Sequence, residues 1–198
     1  GGRARQARMK HGRVLLVALA AGALGVVASL LTTGPGPLLR TEPGQRLLGV
    51  LAEATAPEPP AGTTVAHRGD VIPELDLRDL QGNPVRFPGP HAGRPMLVNL
   101  WASWCGPCIE EMPELQRFAA AQGGAGVQVV GIALDEPQAV LAFLQRIPVD
   151  YPILVDTPGP ADAGVRLGNP RGVLPYSILV SAEGRLLKQR IGPFAHGE

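Results

Sequence analysis

The 198-residue chain contains two cysteines, and two residues separate them in Trp104-Cys105-Gly106-Pro107-Cys108. A thiolate is the nucleophile in disulfide exchange, whereas an ordinary thiol is mostly protonated at neutral pH. The spacing places both sulfurs within one helical turn, so a mixed disulfide on Cys105 is within reach of Cys108. An apolar run leads into the motif and a helical pattern leaves it. A helix N-terminus carries unpaired N–H groups and partial positive charge, which stabilise a thiolate. Pro107 fits the first helical turn, where its missing N–H leaves no bond unmade. A structural disulfide closing so short a loop would add little stability. A zinc centre would need two further ligands, and His67, His91 and His196 do not stand at useful spacing. The motif reads best as a redox-active dithiol. Metal handling, with copper as its most natural form, stays open as an alternative.

The elements that must position this pair are legible in the pattern. Leu75-Asp76-Leu77 and Val85-Arg86-Phe87 alternate on either side of the turn residues Asp79 to Asn83, which predicts a hairpin. Residues 95–101 (PMLVNLW) predict a buried strand. Pro107 to Gln122 predicts a helix, with Ile109, Met112, Leu115, Phe118 and Ala119 at helical spacing and Gly123-Gly124 as its stop. Residues 127–134 (VQVVGIAL) predict a second buried strand. Asp135 is expected to cap a helix reaching Arg146, with Pro137 in its first turn. A strand over Tyr151–Val155 and a short helix over Pro160–Leu167 follow. Tyr176–Val180 and Arg185–Ile191 form strands joined by Ser181-Ala182-Glu183-Gly184. Strands alternating with helices, the strands continuously apolar, imply a parallel or mixed sheet covered on both faces.

Charge divides the chain. The total is 18 basic and 17 acidic residues, a net of +1, unlike the large basic excess of a nucleic-acid binder. Residues 1–31 carry Arg3, Arg5, Arg8, Lys10 and Arg13 and no acid, leaving 13 basic against 17 acidic residues elsewhere. Residues 14–31 (VLLVALAAGALGVVASLL) are uncharged. As a helix they span about 27 Å, close to the ~30 Å core of a bilayer. The positive flank then stays cytoplasmic. A cleaved signal peptide is the competing reading. Gly and Pro supply 11 of the 31 residues in 32–62, a linker composition. The expected organisation is a basic cytoplasmic flank over 1–13, a transmembrane anchor over 14–33, a linker over 34–62 and a folded domain over 63–198. Within the linker, Gln45 to Ala54 has a weak helical pattern.

Asn99-Leu100-Trp101-Ala102-Ser103-Trp104-Cys105-Gly106-Pro107-Cys108 resembles the active-site segment of thioredoxin-fold proteins. The chain is most similar to the membrane-anchored TlpA/ResA-type thiol:disulfide oxidoreductases. Further residues carry that likeness: the hairpin turn Asp79 to Val85, Glu110-Glu111-Met112-Pro113-Glu114-Leu115, Asp150 to Asp156, Gly172-Val173-Leu174-Pro175-Tyr176-Ser177, and Glu183-Gly184-Arg185. The likeness covers roughly residues 68–193.

The resemblance implies an α/β fold, a thioredoxin-like mixed sheet flanked by helices, with an N-terminal transmembrane helix and linker. It implies that Cys105, Cys108, Glu111 and Pro175 are catalytic, Pro175 in a cis-proline loop facing the dithiol. Trp104, Gly106, Pro107, Leu174 and Tyr176 would line the partner site. No cofactor beyond the dithiol and no metal is implied. The implied partners are a disulfide-bearing client protein and a membrane electron donor of the DsbD/CcdA type. The implied location is the bacterial inner membrane, crossed once, with the folded domain in the periplasm.

Two departures stand out. Thioredoxin has a buried Asp where this chain has Asn99, so an internal base would have to be Glu111 or water. The fold ordinarily ends with a helix after the last strand, and residues 192–198 (GPFAHGE) have no such pattern, so the closing helix is expected to be missing or cut off. Two rivals are a copper-binding assembly factor and a thiol peroxidase. The latter would need an activating arginine, and Arg94 and Arg117 are the nearest in sequence.

Overall fold

The computed structural model describes residues 41–54, 58–124, 126–195 and 197. The chain divides into two units, Gly1–Gly44 and Gln45–Glu198. The expected flank and anchor over 1–33 lie outside the described residues. Among those described, no helix is long and apolar enough to cross a membrane.

One sheet organises the folded unit. Its strands are β1 (Leu75–Asp79), β2 (Pro84–Phe87), β3 (Met96–Trp101), β4 (Gln128–Leu134), β5 (Ile153–Asp156), β6 (Tyr176–Val180) and β7 (Leu186–Ile191). Their order across the sheet is β2-β1-β5-β4-β3-β6-β7. Strands β3, β4 and β5 run parallel, and the outer pairings are antiparallel. The continuously apolar runs thus occupy the centre, where parallel strands must be covered on both faces. The expected mixed α/β sheet is present.

The helices are α1 (Glu42–Ala54), α2 (Gly106–Gln122), α3 (Pro137–Leu144) and the single turn α4 (Ala163–Arg166). Helix α2 leaves the C-terminal end of β3, as the apolar run followed by helical spacing predicts. Pro113 lies inside it, and the helix continues past that residue to Gly123. Helix α3 ends at Leu144 rather than Arg146, and α4 is shorter than the expected 160–167.

Side chains alternate across a strand, so the two faces of β3 see different cores. Met96, Val98 and Leu100 join Leu75, Phe87, Val130, Ile132, Tyr176 and Ile178. Trp101 joins Cys105, Cys108, Met112, Ala133, Val140, Phe143 and Tyr151 on the other side. There the Trp101 and Phe143 rings meet with centroids 5.2 Å apart. Asn99 falls on the Trp101 face by the same alternation and is fully buried.

Gln45, within the segment read as a linker, grips the sheet edge. Its amide nitrogen donates to the Ile191 carbonyl at 3.0 Å, and the Ile191 N–H donates to its amide oxygen at 2.7 Å. Strand β7 is an edge strand, and this side chain occupies a backbone pair that would otherwise stay open.

Tyr176 also departs from expectation. The resemblance places it with the partner-binding residues, but its side chain is 1% exposed in the core opposite the cysteines. Its hydroxyl donates to the Leu167 carbonyl at 3.1 Å and accepts from Gln189 at 2.8 Å. Strand alternation turns the ring away from the dithiol face, so it cannot touch a partner there.

Gly168, which follows α4, has φ +97°, and a Cβ there would lie 2.5 Å from Gln189 Nε2 and 2.7 Å from the Ala66 carbonyl. A left-handed backbone and a backbone neighbour at that distance both exclude a side chain. Gly168→Ala is expected to lose roughly 2–3 kcal/mol of stability in denaturant unfolding. A change within error would show that this turn relaxes freely.

Candidate active site

The residues after β3 form a tight turn that delivers the first cysteine to the helix. The Cys105 N–H donates to the Ala102 carbonyl at 3.1 Å. Cys105 keeps extended backbone angles and is the N-cap of α2. Its carbonyl accepts from the N–H groups of Cys108 and Ile109, at 3.1 and 3.2 Å. Its sulfur also accepts from the Cys108 N–H, at 3.3 Å. The sulfur thus sits where the unpaired amides of the first turn point, the position that favours negative charge.

The two cysteines are joined as a disulfide, S–S 2.05 Å and Cα–Cα 5.3 Å. They are not equivalent. Cys105 is 5% exposed and Cys108 is 0% exposed. Trp104, 70% exposed, stands beside Cys105, and Gly106 and Pro107 are exposed on the far side of it. Only Cys105 offers an approach from solvent.

Asp135 does not cap α3 through its side chain; Glu136 is the N-cap and makes no side-chain bond. One Asp135 oxygen accepts from the Ser103 N–H at 2.8 Å and from the Ser103 hydroxyl at 2.6 Å. The other accepts from the Glu136 N–H at 2.8 Å. The reason is register. Trp101 pairs with Ala133 in the parallel β3–β4 ladder, so two residues further on Ser103 lies beside Asp135. The carboxylate pins the turn that carries Trp104 and Cys105. Sequence reasoning missed this, because a cap was the nearest local role for that aspartate.

Glu111 lies one turn beyond Cys108 on the buried side of α2, 1% exposed. One carboxyl oxygen accepts from the Asn99 amide at 2.8 Å and the other from the Phe194 N–H at 2.9 Å. The Asn99 amide also donates to the Ser177 hydroxyl at 3.0 Å. Burial pushes the Glu111 carboxyl up to about 7, against the opposing pull of the Phe194 N–H, the Asn99 amide and Arg190. In the same region, Tyr151 is raised by burial and by the Glu111 charge. The Trp101 indole N–H, the Tyr151 hydroxyl and the Asn99 amide oxygen are buried with no hydrogen-bond partner among the described residues.

The Leu174–Pro175 peptide bond is cis. Leu174 packs against the cluster that contains both cysteines. The segment before it is held by buried Asn169, whose amide donates to the Val173 carbonyl at 2.9 Å and accepts from the Val173 N–H at 3.2 Å. Of the residues expected at the site, Cys105, Cys108 and Leu174 share this core, Glu111 borders it, and Trp104, Gly106 and Pro107 lie at its surface. Asn169, Asp135, Phe194 and Arg190 were not expected. Asn169 follows an apolar helical turn and precedes Pro170, a loop signal without any hint of its partner.

Two measurements test this geometry. Asp135→Ala leaves a part-buried N–H and hydroxyl without an acceptor and is expected to cost about 1–3 kcal/mol. Ser103→Ala keeps the backbone bond and should cost less; equal losses would mean that the hydroxyl alone matters. The second concerns pH. The Glu111 carboxyl binds its proton more tightly folded than unfolded, so its contribution is fully present below pH ~4.5 and is lost as pH rises through about 7. The stability of Glu111→Gln relative to the parent should therefore climb between pH 5 and pH 8, by up to about 3 kcal/mol. The slope is the test, since the amide also changes the local hydrogen bonds; a flat difference would mean that Glu111 is hydrated.

The Redoxin family profile matches residues 67–198. Among curated proteins, the chain is 26% identical over 135 residues to the thiol-disulfide oxidoreductase ResA of Halalkalibacterium halodurans, covering 67% of this chain and 73% of that one. It is 25% identical over 139 residues to the sporulation thiol-disulfide oxidoreductase A of Bacillus subtilis, covering 68% and 81%. Among solved structures, a thiol-disulfide oxidoreductase from Bacteroides fragilis superposes with a TM-score of 0.54 at 25% identity, covering 62% of this chain and 90% of that one. These similar proteins are all named as thiol-disulfide oxidoreductases, ResA among them. Because the matched segment takes in both cysteines and the whole sheet, the chain belongs to the Redoxin family.

Proposed function

We propose that this chain is a thiol:disulfide oxidoreductase of the TlpA/ResA type that reduces disulfides in client proteins. The observation that carries the reading is the inequality of the two sulfurs. Cys105 caps a helix and reaches solvent beside Trp104, while Cys108 is fully buried with a carboxyl one turn away. That is an attacking thiol and a resolving thiol. The names of the relatives support it.

The chemistry follows. In the reduced protein the Cys105 thiolate, favoured by the first amides of α2, attacks one sulfur of the client disulfide. A Cys105–client disulfide forms, and the client's other sulfur leaves as a thiolate. Cys108 then gives its proton to the Glu111 carboxylate. The Cys108 thiolate attacks the Cys105 sulfur, the mixed disulfide breaks, and the client's second sulfur leaves. Two electrons have passed to the client, and the Cys105–Cys108 disulfide remains. Glu111 returns its proton to the departing thiolate or to water. A base that titrates near neutrality suits this transfer. The cis-Pro175 loop, with Leu174, would hold the client chain against Cys105, and Trp104, Gly106 and Pro107 would contact it.

The remaining parts of the reading rest on sequence. Residues 14–33 would anchor the chain in the bacterial inner membrane and residues 34–62 would tether the domain, which then faces the periplasm. A membrane electron donor of the DsbD/CcdA type would re-reduce the disulfide.

The peroxidase alternative gains nothing from the two arginines nearest the motif in sequence. Arg94 donates to the Gly126 carbonyl at 2.9 Å, beyond the C-terminal end of α2. A helix of 17 residues is about 25 Å long, and the cysteines are at its other end. Arg117 pairs with Glu114. Of the candidate copper-binding histidines within the described residues, His67 stands beside Asp70 and His91 against the Phe87 ring; His196 lies outside them.

Cys108→Ser in the full chain leaves the attacking thiol without its resolver. Non-reducing electrophoresis of detergent-solubilised membranes should show client proteins joined to Cys105, and Cys105→Ser/Cys108→Ser should show none. Absence of adducts in the single variant would refute the exchange mechanism.

A further inference from the structure

We propose that the turn Gly192–Phe194 is a positioning device for Glu111, sealing its carboxyl from water and holding one of its oxygens. The inference rests on the proton-accepting role given to Glu111 above. It adds that a segment outside the sheet and outside the cysteine motif decides at which pH that role is available.

The turn is braced at three points. Its first residue, Gly192, has φ +93°, and its N–H donates to the Pro175 carbonyl at 2.9 Å. The Pro193 carbonyl accepts from the Arg190 guanidinium at 3.0 Å. The same guanidinium lies over the Phe194 ring, 4.6 Å from its centroid. At the end of this path the Phe194 N–H donates to Glu111 at 2.9 Å, and the Phe194 side chain packs against the cluster of Cys105, Cys108 and Met112. One short segment thus touches the cis-proline, the buried carboxyl and the core around the cysteines.

The groups around Glu111 act in opposite senses. From β7, Arg190 favours the carboxylate. From β3, the Asn99 amide favours it too, itself engaged with Ser177 of β6. From the segment before β5, the Tyr151 phenol bears no charge at neutral pH, its own ionisation opposed by Glu111. On its own helix, Cys108 is uncharged in the disulfide. The turn does two things at once. Its ring side excludes water, which favours the protonated carboxyl, and its N–H favours the carboxylate. Burial is the largest of these influences. Opening the turn should therefore move Glu111 toward an ordinary carboxylate.

The test uses the full chain in its oxidised form, with glutamate labelled at the side-chain carboxyl carbon and followed by NMR from pH 4 to pH 9. The signal lost in Glu111→Gln identifies the residue. The parent should titrate near 7. Phe194→Ala keeps the N–H and removes the cover, and its midpoint should move to the acid side by about one pH unit or more. Phe194→Leu keeps an apolar cover and should titrate close to the parent. The pre-reduced proteins are then reacted with the small aromatic disulfide dithiobisnitrobenzoate, and the pH profile of the rate should move by the same amount. An unmoved Phe194→Ala midpoint, or a Phe194→Leu midpoint that moves as far as the alanine one, overturns the proposal. The NMR readout needs no activity. A protein that shows the midpoint shift but reduces no disulfide sinks the oxidoreductase reading alone; one that reduces disulfides with an unmoved midpoint sinks the turn's role alone.

Discussion

The parallel ladder between β3 and β4 runs in register from Met96–Gln128 to Trp101–Ala133, and the site is built from its end. Parallel strands finish at the same edge of a sheet. The turn after β3 and the carboxylate after β4 therefore meet, and Asp135 takes hold of Ser103. That hold fixes where the chain turns into α2, and so where Cys105 meets the first amides of the helix. The same register sets the alternation of β3, which sends Val98 and Leu100 to one core and Asn99 and Trp101 to the other. A slip of one residue would reverse these faces and separate Asn99 from Glu111.

The second organising feature is a carboxyl kept almost wholly out of water. An ionised group in such a place is costly unless its oxygens are hydrogen-bonded. Glu111 has one donor for each oxygen, from Asn99 and from Phe194, and Arg190 adds a favourable charge. These offset only part of the burial, and the carboxyl settles near neutrality instead of near its usual acidic value. Full compensation would give a permanent carboxylate with little appetite for a thiol proton. No compensation would give a permanent acid. The intermediate balance suits a group that must take a proton and release it.

The fold also separates exposure from protection over a short distance. Trp104, Gly106 and Pro107 face solvent, Cys105 lies at the boundary, and Cys108 and Glu111 lie beneath. This gradient comes from the start of α2, whose first turn rises from the sheet edge while its next turn packs onto the sheet. A helix entering at another angle could keep the two-residue spacing of the cysteines and lose the difference between them.

By itself the sequence determined the chemistry and the order of elements. Cysteine spacing, Pro107 at a helix start, apolar strand runs and helical periodicity are local signals, and the structure follows them closely from β1 to β7. The anchor reading rests on residues 14–31 and lies outside the described residues. What the tertiary structure alone decided are the partnerships across long stretches of chain: Asp135 with Ser103, Glu111 with Phe194, Gln45 with Ile191. Local logic assigned Asp135 to a helix cap, and the family resemblance put Tyr176 at the partner surface. Packing gave both side chains other neighbours, and it brought Gln45 to the sheet edge. A polar side chain bonds whatever the fold brings within about 3 Å, and strand register and sheet face, which decide that neighbour, are properties of the assembled sheet.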